Sequence, residues 1–281
     1  MKSSIKFLVI ITSITFCYAQ SPERIITAGS AITETVCALG DCDKIIASDK
    51  TSLYPVAIQN LPSIGYRSGI NAEGILSLKP TMVIVEKGYV EASVLDLLSN
   101  TPVKLIIVDR KLNVEDTKKM IRQIATTLGK VTAGTKLINR IENEFAEIKL
   151  LLQKKSITPS VLCIYNRGTA TISAAGSETF AEILKYAGAE NAFNDIEGYK
   201  PLNTEALIKA NPDFLLMVSS GLESLGGIEG VSKLPGILLT TAGKKKQIVA
   251  VESLKLTNFG PRLGEAVREV VLQIHPELVA K

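Results

Sequence analysis

Residues 132–155 read TAGTKLINRIENEFAEIKLLLQKK, and this stretch divides the sequence into two halves. Apolar residues recur in it every three or four positions, at Leu137, Ile141, Phe145, Ile148 and Leu152, with charged residues between them. Because this spacing places the apolar side chains on one face of a helix, the stretch predicts a single long amphipathic helix. Pro159 follows soon afterwards and ends the helical pattern.

Buried strands alternate with helices on both sides of this long helix. Before it, apolar runs predict strands at 24–29, 44–49, 81–86 and 103–109, with helical spacing at 31–39, 71–78 and 90–99. After it, the same features predict strands at 160–165, 170–176, 214–219 and 247–252, with helices at 178–187, 203–210 and 261–274. Strands that alternate with helices are typical of parallel sheets covered on both faces, so we predict an α/β fold.

The two halves share an internal repeat. The repeated residues are Gly29, Glu34 and Gly40 in the first half and Ser177, Glu182 and Gly188 in the second, with the same spacing. Segments 75–85 and 207–218 also match, since each has a helix end, a proline and a buried strand. The repeat predicts two similar Rossmann-like lobes, 20–130 and 158–281, joined by a bridging helix at 131–157, with a ligand cleft between the lobes. A single doubly wound domain is the alternative.

The composition excludes several classes of protein. The chain has 281 residues, a formal net charge of +4 and a single histidine, His275, which we expect at the surface. One histidine leaves a Ser-His-Asp hydrolase, a histidine-rich metal site and an HExxH metalloprotease without their parts. The mild, dispersed positive charge argues against a nucleic-acid partner, because nucleic-acid binding usually needs a concentrated basic face.

The first 19 residues have the pattern of a secretory signal peptide. Lys2 and Lys6 precede the apolar run 7–16, and Cys17-Tyr18-Ala19 is a small-x-Ala cleavage pattern. We therefore expect an exported protein that is cut after Ala19. A lipoprotein anchored through Cys17 is the less favoured alternative, because Thr15-Phe16 is a poor approach to a lipidation site.

Export also changes the interpretation of the cysteines, because an oxidising compartment permits disulfides. Cys37 and Cys42 flank the predicted end of a helix and are close enough for a bridge. Cys163 falls in an apolar strand, which is typical of a buried thiol. The alternative is that all three thiols are free.

Ligands of open parallel sheets bind beyond the carboxyl ends of the strands, which here means six loops. These loops are 48–70, 86–89, 166–169, 194–203, 219–228 and 253–261. They carry no GxGxxG or GxxxxGKS phosphate loop and no GxSxG nucleophile elbow. Glu34, Glu73 and Glu182 fall in predicted helices, where we expect solvent-facing charges and not a metal cluster. The sequence therefore favours a binding protein over an enzyme.

Four segments resemble the periplasmic haemin-binding proteins of bacterial ABC importers and, more broadly, the helix-bridged substrate-binding proteins for haem, cobalamin and iron–siderophores. The most informative is LPSIGYRSGINAEGILSLKP (61–80), and the others are 24–40, 198–213 and 258–267. The resemblance implies two lobes hinged on the long helix, with limited closure around a preformed cleft. It also implies a monomeric periplasmic protein that captures haem (ferric protoporphyrin IX) as cargo. An outer-membrane haem receptor would act upstream, and an inner-membrane ABC permease with its ATPase would receive the cargo.

The haem assignment depends mainly on Tyr66 in Ile64-Gly65-Tyr66, which matches the tyrosine that ligates the iron in the haemin binders. A phenolate is a hard anionic ligand suited to ferric iron, and Arg67 or Arg262 would favour the phenolate form. Some members of the family add a histidine from a loop that resembles 164–170, but here Asn166 or Arg167 takes that place. We therefore expect a single tyrosine ligand.

The resemblance implies further contacts around the cargo. Propionates need cationic partners, for which the candidates are Arg67, Arg167, Lys200 and Arg262. Tyr165, Tyr199 or Arg167 would lie near the open side of the haem. Cobalamin binders of this group tend to present tryptophan around the cleft, and this chain has none. A corrinoid or iron–siderophore is therefore the first alternative cargo, and an exported α/β enzyme is the remote alternative function.

Carboxylates on the top of each lobe usually dock proteins of this family onto basic residues of the permease. By position, Glu73 resembles the docking residue of the first lobe. Glu182 is the choice for the second lobe, and Glu34, its partner in the internal repeat, is the competitor.

Overall fold

The computed structural model describes residues 23–168 and 171–279, except for the side chain of Arg167. The predicted signal peptide, 1–19, lies outside the described residues. Within them the chain forms two α/β lobes joined by one long helix, as the sequence predicts. Among the described helices, none combines the length and the hydropathy needed to cross a bilayer.

The N-terminal lobe is built on a parallel sheet. Its strands are β1 (Ile25–Ala28), β2 (Ile45–Ser48), β3 (Met82–Glu86) and β4 (Lys104–Val108), in the order β2-β1-β3-β4. Its helices are α1 (Ser30–Ala38), α2 (Ala72–Ser77), α3 (Ala92–Ser99) and α4 (Val114–Thr127). Ile25 packs with α1 and α4 on one face, and its neighbour Ile26 packs with α2 and α3 on the other. Because both faces are covered, the strands are continuous apolar runs.

The bridging helix α5 (Val131–Leu152) begins one residue before the predicted stretch and ends three residues before its end. Its first half packs Leu137 and Ile141 into the core of the N-terminal lobe. Ile148 enters the core of the C-terminal lobe, and Phe145 contacts both cores. The apolar face predicted from the sequence therefore packs first against the core of the N-terminal lobe and then against that of the C-terminal lobe.

The sheet of the C-terminal lobe is mixed. Its strands are β5 (Ser160–Arg167), β6 (Thr171–Ala175), β7 (Glu190–Asn191), β8 (Tyr199–Pro201), β9 (Phe214–Val218) and β10 (Ile248–Val251). They follow the order β10-β9-β5-β6-β8, with β7 paired to β5. Strand β6 is antiparallel to β5 and β8, so the prediction of parallel pairing is wrong here. The short connection from β5 to β6 permits a hairpin but not the crossover that parallel strands need.

Short helices surround this second sheet. They are α6 (Ile183–Tyr186), α7 (Thr204–Ala210), α8 (Ser219–Ser224), α9 (Gly227–Ser232), α10 (Thr241–Lys244), α11 (Ser253–Thr257) and α12 (Leu263–Ile274). Single 3₁₀ turns occur at Cys42–Lys44, Val56–Asn60, Arg67–Gly69, Phe180–Glu182, Ile237–Leu239 and Pro276–Leu278. The predicted helix 178–187 is therefore a 3₁₀ turn that leads into α6. The longest of the seven, α12, buries its apolar face in the core that α5 also enters.

Two polar side chains lie deeper than the sequence predicts. We expected His275 at the surface, but it is fully buried, with Nε2 2.9 Å from the carbonyl oxygen of Ala187 and Nδ1 3.1 Å from a carboxylate oxygen of Glu277. We expected Glu34 to face solvent, but it is 3% exposed and accepts two hydrogen bonds from Arg262. Both expectations are wrong because the main partner is remote in sequence: Ala187 for His275, and Arg262 for Glu34.

The cysteines divide between the lobes. Cys37 and Cys42 form a disulfide at the end of α1. Cys163 is a free thiol that is fully buried in β5, and burial raises the pKa of this thiol.

Hydrogen bonds also join the lobes directly, along a line that we call the inter-lobe seam. The seam consists of Ser30, Glu34, Arg110 and Thr117 from the N-terminal lobe and Asn258, Phe259 and Arg262 from the C-terminal lobe. The Ser30 hydroxyl donates to Oδ1 of Asn258 at 2.6 Å, and the Thr117 hydroxyl donates to the carbonyl oxygen of Phe259 at 2.7 Å. Arg110 donates to the carbonyl oxygens of Asn258 and Phe259 at 2.8 and 3.2 Å. The lobes are thus held together by more than the bridging helix.

Candidate ligand-binding cleft

A large cavity of about 1360 Å³ opens between the two lobes. Each of the six loops predicted to border the cleft contributes at least one residue to its walls. Ordinary small-molecule pockets measure roughly 300–1,000 Å³, so this cleft suits a larger ligand.

Tyr66 reaches the cavity from a segment that runs beside the end of β2. The Ile64 amide donates to the carbonyl oxygen of Ser48 at 2.9 Å, and the Lys50 amide donates to the carbonyl oxygen of Gly65 at 2.9 Å. Gly65 then turns the chain with φ 106°, and a Cβ there would lie 3.1 Å from the carbonyl oxygen of Gly69. This turn directs the Tyr66 side chain, 39% exposed, into the cleft. In the described part of the chain its hydroxyl has no hydrogen-bond partner.

A second tyrosine, Tyr89, lines the same wall but is held by a buried carboxylate. The Tyr89 hydroxyl donates to Oδ2 of Asp49 at 2.5 Å and lies 2.9 Å from the Thr51 hydroxyl. Asp49, which is 2% exposed, also accepts from the Gly29 amide and from the Ser52 hydroxyl. Burial, followed by the hydrogen bond to this carboxylate, raises the pKa of Tyr89. Tyr89 is therefore a protonated donor at neutral pH, unlike a ligand that must become a phenolate.

Arg67 stacks on both tyrosines. Its guanidinium carbon lies 5.0 Å from the ring centroid of Tyr89 and 5.8 Å from that of Tyr66. The two rings meet edge to face, with centroids 6.5 Å apart. Cations within about 6 Å of an aromatic centroid are attracted to the ring, so the three side chains form one contact group.

Aromatic side chains also line the opposite wall, in the C-terminal lobe. The Tyr165 ring lies 5.2 Å from the Tyr199 ring, and both pack near the buried ring of Phe180. Tyr165 comes from β5 and Tyr199 from β8, two strands on either side of β6. The cleft therefore has an aromatic surface on each lobe, as a flat apolar ligand requires.

The charges in the cleft are distributed unevenly. Lys50, Arg67 and Lys111 line it from the N-terminal lobe, and in the described residues none of their side chains forms a salt bridge. Among the described side chains, the C-terminal wall carries Glu178, Glu182 and Glu197 with one cation, Lys185, which is bound to Glu182. Arg110 also borders the cavity, but its guanidinium is paired with Glu86. Anionic groups of a ligand are thus favoured beside the N-terminal lobe.

Two predicted contact residues, Arg262 and Lys200, do not join this group. Arg262 lies outside the cavity walls, where it binds Glu34 and Glu252 and stacks on Tyr54 with 3.7 Å to the ring centroid. Lys200 lies on β8 with an exposed side chain, also outside the cavity walls. The predicted role of Arg167 falls on a side chain outside the described residues. Asn166 lines the cavity, but its amide nitrogen donates to the carbonyl oxygen of Gly221 and the Ser224 hydroxyl.

The predicted docking glutamates occupy different environments. Glu73 is exposed in the first turn of α2, where Asn71 caps the helix by accepting from the Gly74 amide at 2.7 Å. Glu182 instead lies in the wall of the cleft. In the C-terminal lobe, the arrangement around Glu73 recurs at Glu205 in the first turn of α7, which Asn203 caps in the same way.

Sequence reasoning does not single out Lys50, Asp49 or Tyr89, although all three fall in loops that it assigns to the cleft. Their position after the ends of predicted strands was the one feature of the sequence that could have indicated a role in the cleft, and several other residues share that position. What distinguishes Asp49 and Tyr89 is a hydrogen bond across 40 residues of sequence, which spacing alone does not reveal.

The comparisons with known proteins agree on the family and differ on the ligand. A family model described as periplasmic binding protein matches residues 25–253. The periplasmic heme-binding protein RhuT from Roseiflexus sp. RS-1, in its apo form, is 35% identical with a TM-score of 0.87, and the match covers 92% of this chain and 100% of that one.

Two curated relatives are more distant. The uncharacterized ABC transporter substrate-binding lipoprotein YvrC of Bacillus subtilis (strain 168) is 26% identical over 92% of this chain and 82% of that protein. The vitamin B12-binding protein of Pectobacterium carotovorum subsp. carotovorum (strain PC1) is 24% identical over 77% of this chain and 79% of that protein.

Proposed function

This chain belongs to the periplasmic binding protein family, and from that premise we propose that it captures haem in the periplasm and delivers it to an inner-membrane ABC importer. The observation that carries the proposal is the Tyr66 hydroxyl, which enters the cleft without a hydrogen-bond partner among the described residues and with a cation beside its ring. No catalytic role is assigned to any residue, and haem is the cargo, not a cofactor.

Tyr66 has the chemistry of a ligand for ferric iron. A phenolate is a hard anionic donor, and a tyrosine ligates haem iron in several proteins. The Arg67 guanidinium carbon lies 5.8 Å from the centroid of the Tyr66 ring. The loop that carries a histidine in some members of the family has Asn166 or Arg167 in that place here, and the Asn166 amide donates to the carbonyl oxygens of Gly168 and Gly221. We therefore expect one protein ligand on the iron, from Tyr66.

The remaining groups of the cleft suit the rest of the haem. The aromatic rings of Tyr165 and Tyr199 offer a surface for the macrocycle on the side away from Tyr66. Lys50, Arg67 and Lys111 supply cations for the propionates. We keep Arg67 as a propionate partner and add the two lysines, whereas Arg262 and its carboxylates form a separate ion-pair cluster at the seam.

A titration with ferric protoporphyrin IX tests the proposal directly. We expect a shifted Soret band with the charge-transfer bands of a high-spin, tyrosinate-ligated ferric haem. Tyr66→Phe should weaken binding more than about tenfold, or about 1.4 kcal/mol, because the iron loses its anionic ligand.

Tyr54→Phe is the matched control, since Tyr54 belongs to the same lobe, also contacts an arginine and lies outside the cavity. This control should bind haem like the unmutated protein. A spectrum of free haem throughout the titration would refute haem binding, and an unchanged affinity of Tyr66→Phe would remove Tyr66 from the iron.

A corrinoid is the second candidate cargo, because a vitamin B12-binding protein is among the relatives. The tyrosine-rich walls and the absence of tryptophan argue for haem. Cyanocobalamin added in excess should leave the haem complex intact. Displacement of haem, together with binding of cyanocobalamin to the haem-free protein, would favour the corrinoid instead.

Docking to the permease is proposed to use Glu73 and Glu205, with Glu205 replacing the sequence-based choice of Glu182. Glu73 and Glu205 share a capping asparagine two residues before them and a first-turn position, one on each lobe. Exposed carboxylates at matching sites of two lobes suit a permease with paired basic residues. Glu73→Lys and Glu205→Lys should each reduce stimulation of the importer ATPase, while the exposed control Glu190→Lys should not. An equal effect of all three would contradict the assignment.

Periplasmic location is proposed on the signal-peptide pattern of residues 1–19 and on the family. One relative is a lipoprotein, so anchoring through Cys17 is the alternative. The mass of the mature protein distinguishes cleavage after Ala19 from a lipid attached to Cys17.

A further inference from the structure

The two tyrosines of the N-terminal wall differ in how firmly they are held. Tyr66 follows a glycine turn and precedes a single 3₁₀ turn, Arg67–Gly69, and its hydroxyl has no partner among the described residues. Tyr89 is fixed at both ends, because its amide donates to the carbonyl oxygen of Glu86 at 3.0 Å and its hydroxyl donates to Asp49. Tyr89 is thus the rigid member of the pair.

Asp49 makes this rigidity possible. Its carboxylate is 2% exposed and receives hydrogen bonds from the amides of Gly29 and Thr51 and from the hydroxyls of Thr51, Ser52 and Tyr89. These donors come from the ends of β1 and β2 and from the loop after β3. Tyr89 is therefore anchored to three strands of the sheet through one buried group.

The ring of Tyr89 is linked to Tyr66 in two ways, through the Arg67 guanidinium and by direct contact of the two rings. Its face carries the Arg67 guanidinium at 5.0 Å, nearer than the 5.8 Å to the Tyr66 ring. The two rings also meet almost at right angles, at 88°. Arg67 itself is exposed, and in the described residues no carboxylate pairs with it, so the aromatic faces are its main restraint.

We propose that Tyr89 is a positioning residue for haem capture: its ring, anchored by Asp49, holds Arg67 beside Tyr66 and fixes the angle at which the Tyr66 phenol meets the iron. The inference rests on the proposed function, since Tyr89 acts on the haem through Arg67 and Tyr66. It predicts that a residue with no bond to the iron controls the strength of the iron–tyrosine bond.

The test compares Tyr89 variants with two probes, ferric protoporphyrin IX and metal-free protoporphyrin IX. Tyr89→Leu removes the ring and should lower ferric-haem affinity about tenfold, with a shifted charge-transfer band. Tyr89→Phe keeps the ring but loses the Asp49 anchor and should show a smaller loss, about threefold. Metal-free protoporphyrin should lose less affinity than ferric haem in each Tyr89 variant, because it packs against the cleft wall but makes no bond to Tyr66.

Double variants separate positioning from general packing. In a Tyr66→Phe background, Tyr89→Leu should change ferric-haem affinity less than about twofold, because the bond that it positions is absent. Arg67→Met should shift the charge-transfer band of the ferric complex as Tyr89→Leu does, and the two changes together should shift it no further than either alone. Tyr54→Leu is the control outside the cavity and should change neither probe.

Three results would overturn the inference. The first is an equal loss for both probes, and the second is an undiminished effect of Tyr89→Leu in the Tyr66→Phe background. The third is a charge-transfer band that Tyr89→Leu leaves unchanged. Failure of the unmutated protein to bind ferric haem would overturn the proposed function as well, whereas the three results above leave it standing.

Discussion

Glu34 and Arg262 form a nearly buried ion pair that joins the lobes. Their side chains are 4% and 11% exposed, and the Arg262 Nε and Nη2 atoms donate to the two carboxylate oxygens of Glu34 at 2.9 and 3.0 Å. Burial raises the pKa of Glu34, although the hydrogen bonds from Arg262 act in the opposite direction. The pair therefore affects stability most when one partner is removed, because the remaining charge is then buried without compensation, which is costly.

We expect Arg262→Met to lower the free energy of unfolding by about 3–5 kcal/mol at pH 8, because Glu34 stays buried without its cation. The pKa of Glu34 then lies further above its unfolded value, so the folded state binds more protons and loses stability as pH rises. Urea unfolding should accordingly show a smaller loss at pH 5 than at pH 8. The matched double variant, Glu34→Gln with Arg262→Met, should recover most of the stability and lose the pH dependence. Equal losses at both pH values would contradict this account.

Individual site residues could be predicted where a single segment of sequence contains a recognisable motif. They could not be predicted where the role of a residue depends on a contact with a distant segment. The segment 61–80 led to Tyr66 and Arg67, and the structure brings both into the cleft. Arg262 was a candidate partner of the propionates, yet Glu34 holds it from 228 residues away. A contact between residues so far apart produces no repeating pattern in the sequence from which it could be predicted.

At the scale of elements, helices α4 and α5 pack unusually closely at Gly134. A Cβ built on Gly134 would lie 2.4 Å from the Cβ of Ala125, so the glycine permits the approach of the two helices. Glycine in a helix interior usually costs about 1 kcal/mol relative to alanine. Close packing here outweighs that preference.

Gly134→Ala should therefore destabilise the protein by about 1–3 kcal/mol, although alanine is the better helix former, because the overpacked methyl groups must separate α4 from α5. Thermal or urea unfolding measures the loss. The exchange variant, Ala125→Gly with Gly134→Ala, restores one methyl group at the contact and should regain most of the stability. A stabilised single variant would mean that helix propensity, and not packing, decides at this position.

The type of an element could be predicted where its hydrophobic pattern repeats over several turns. The apolar stripe of α5 runs from Leu137 to Leu152, about four helical turns, and the predicted start of the helix is within one residue. Strand β6 was also placed closely, at 170–176 against Thr171–Ala175, but its direction was not. Direction depends on the length of the connection from β5, and an apolar run reads the same in either direction.

At the scale of the whole molecule, the relative position of the lobes has two determinants. One is α5, a continuous helix with its apolar face in both cores. The other is the inter-lobe seam, in which Arg110 is 3% exposed and bonded to two carbonyl oxygens of the opposite lobe. Separation of the lobes would break several buried polar contacts at once, each costly to leave unmade. The cleft is therefore expected to be formed before the cargo arrives.

A preformed cleft predicts that loading changes the shape of the protein very little. Small-angle scattering with and without ferric protoporphyrin IX should give radii of gyration within about 1 Å of each other, as in preorganised complexes. The combination Ser30→Ala and Thr117→Val removes two seam donors without leaving a buried charge. This double variant should show a larger change on loading and weaker binding, because part of the binding free energy must then order the lobes. A decrease of several ångströms in the unmutated protein would mean that the seam does not fix the cleft, and that α5 alone acts as a hinge.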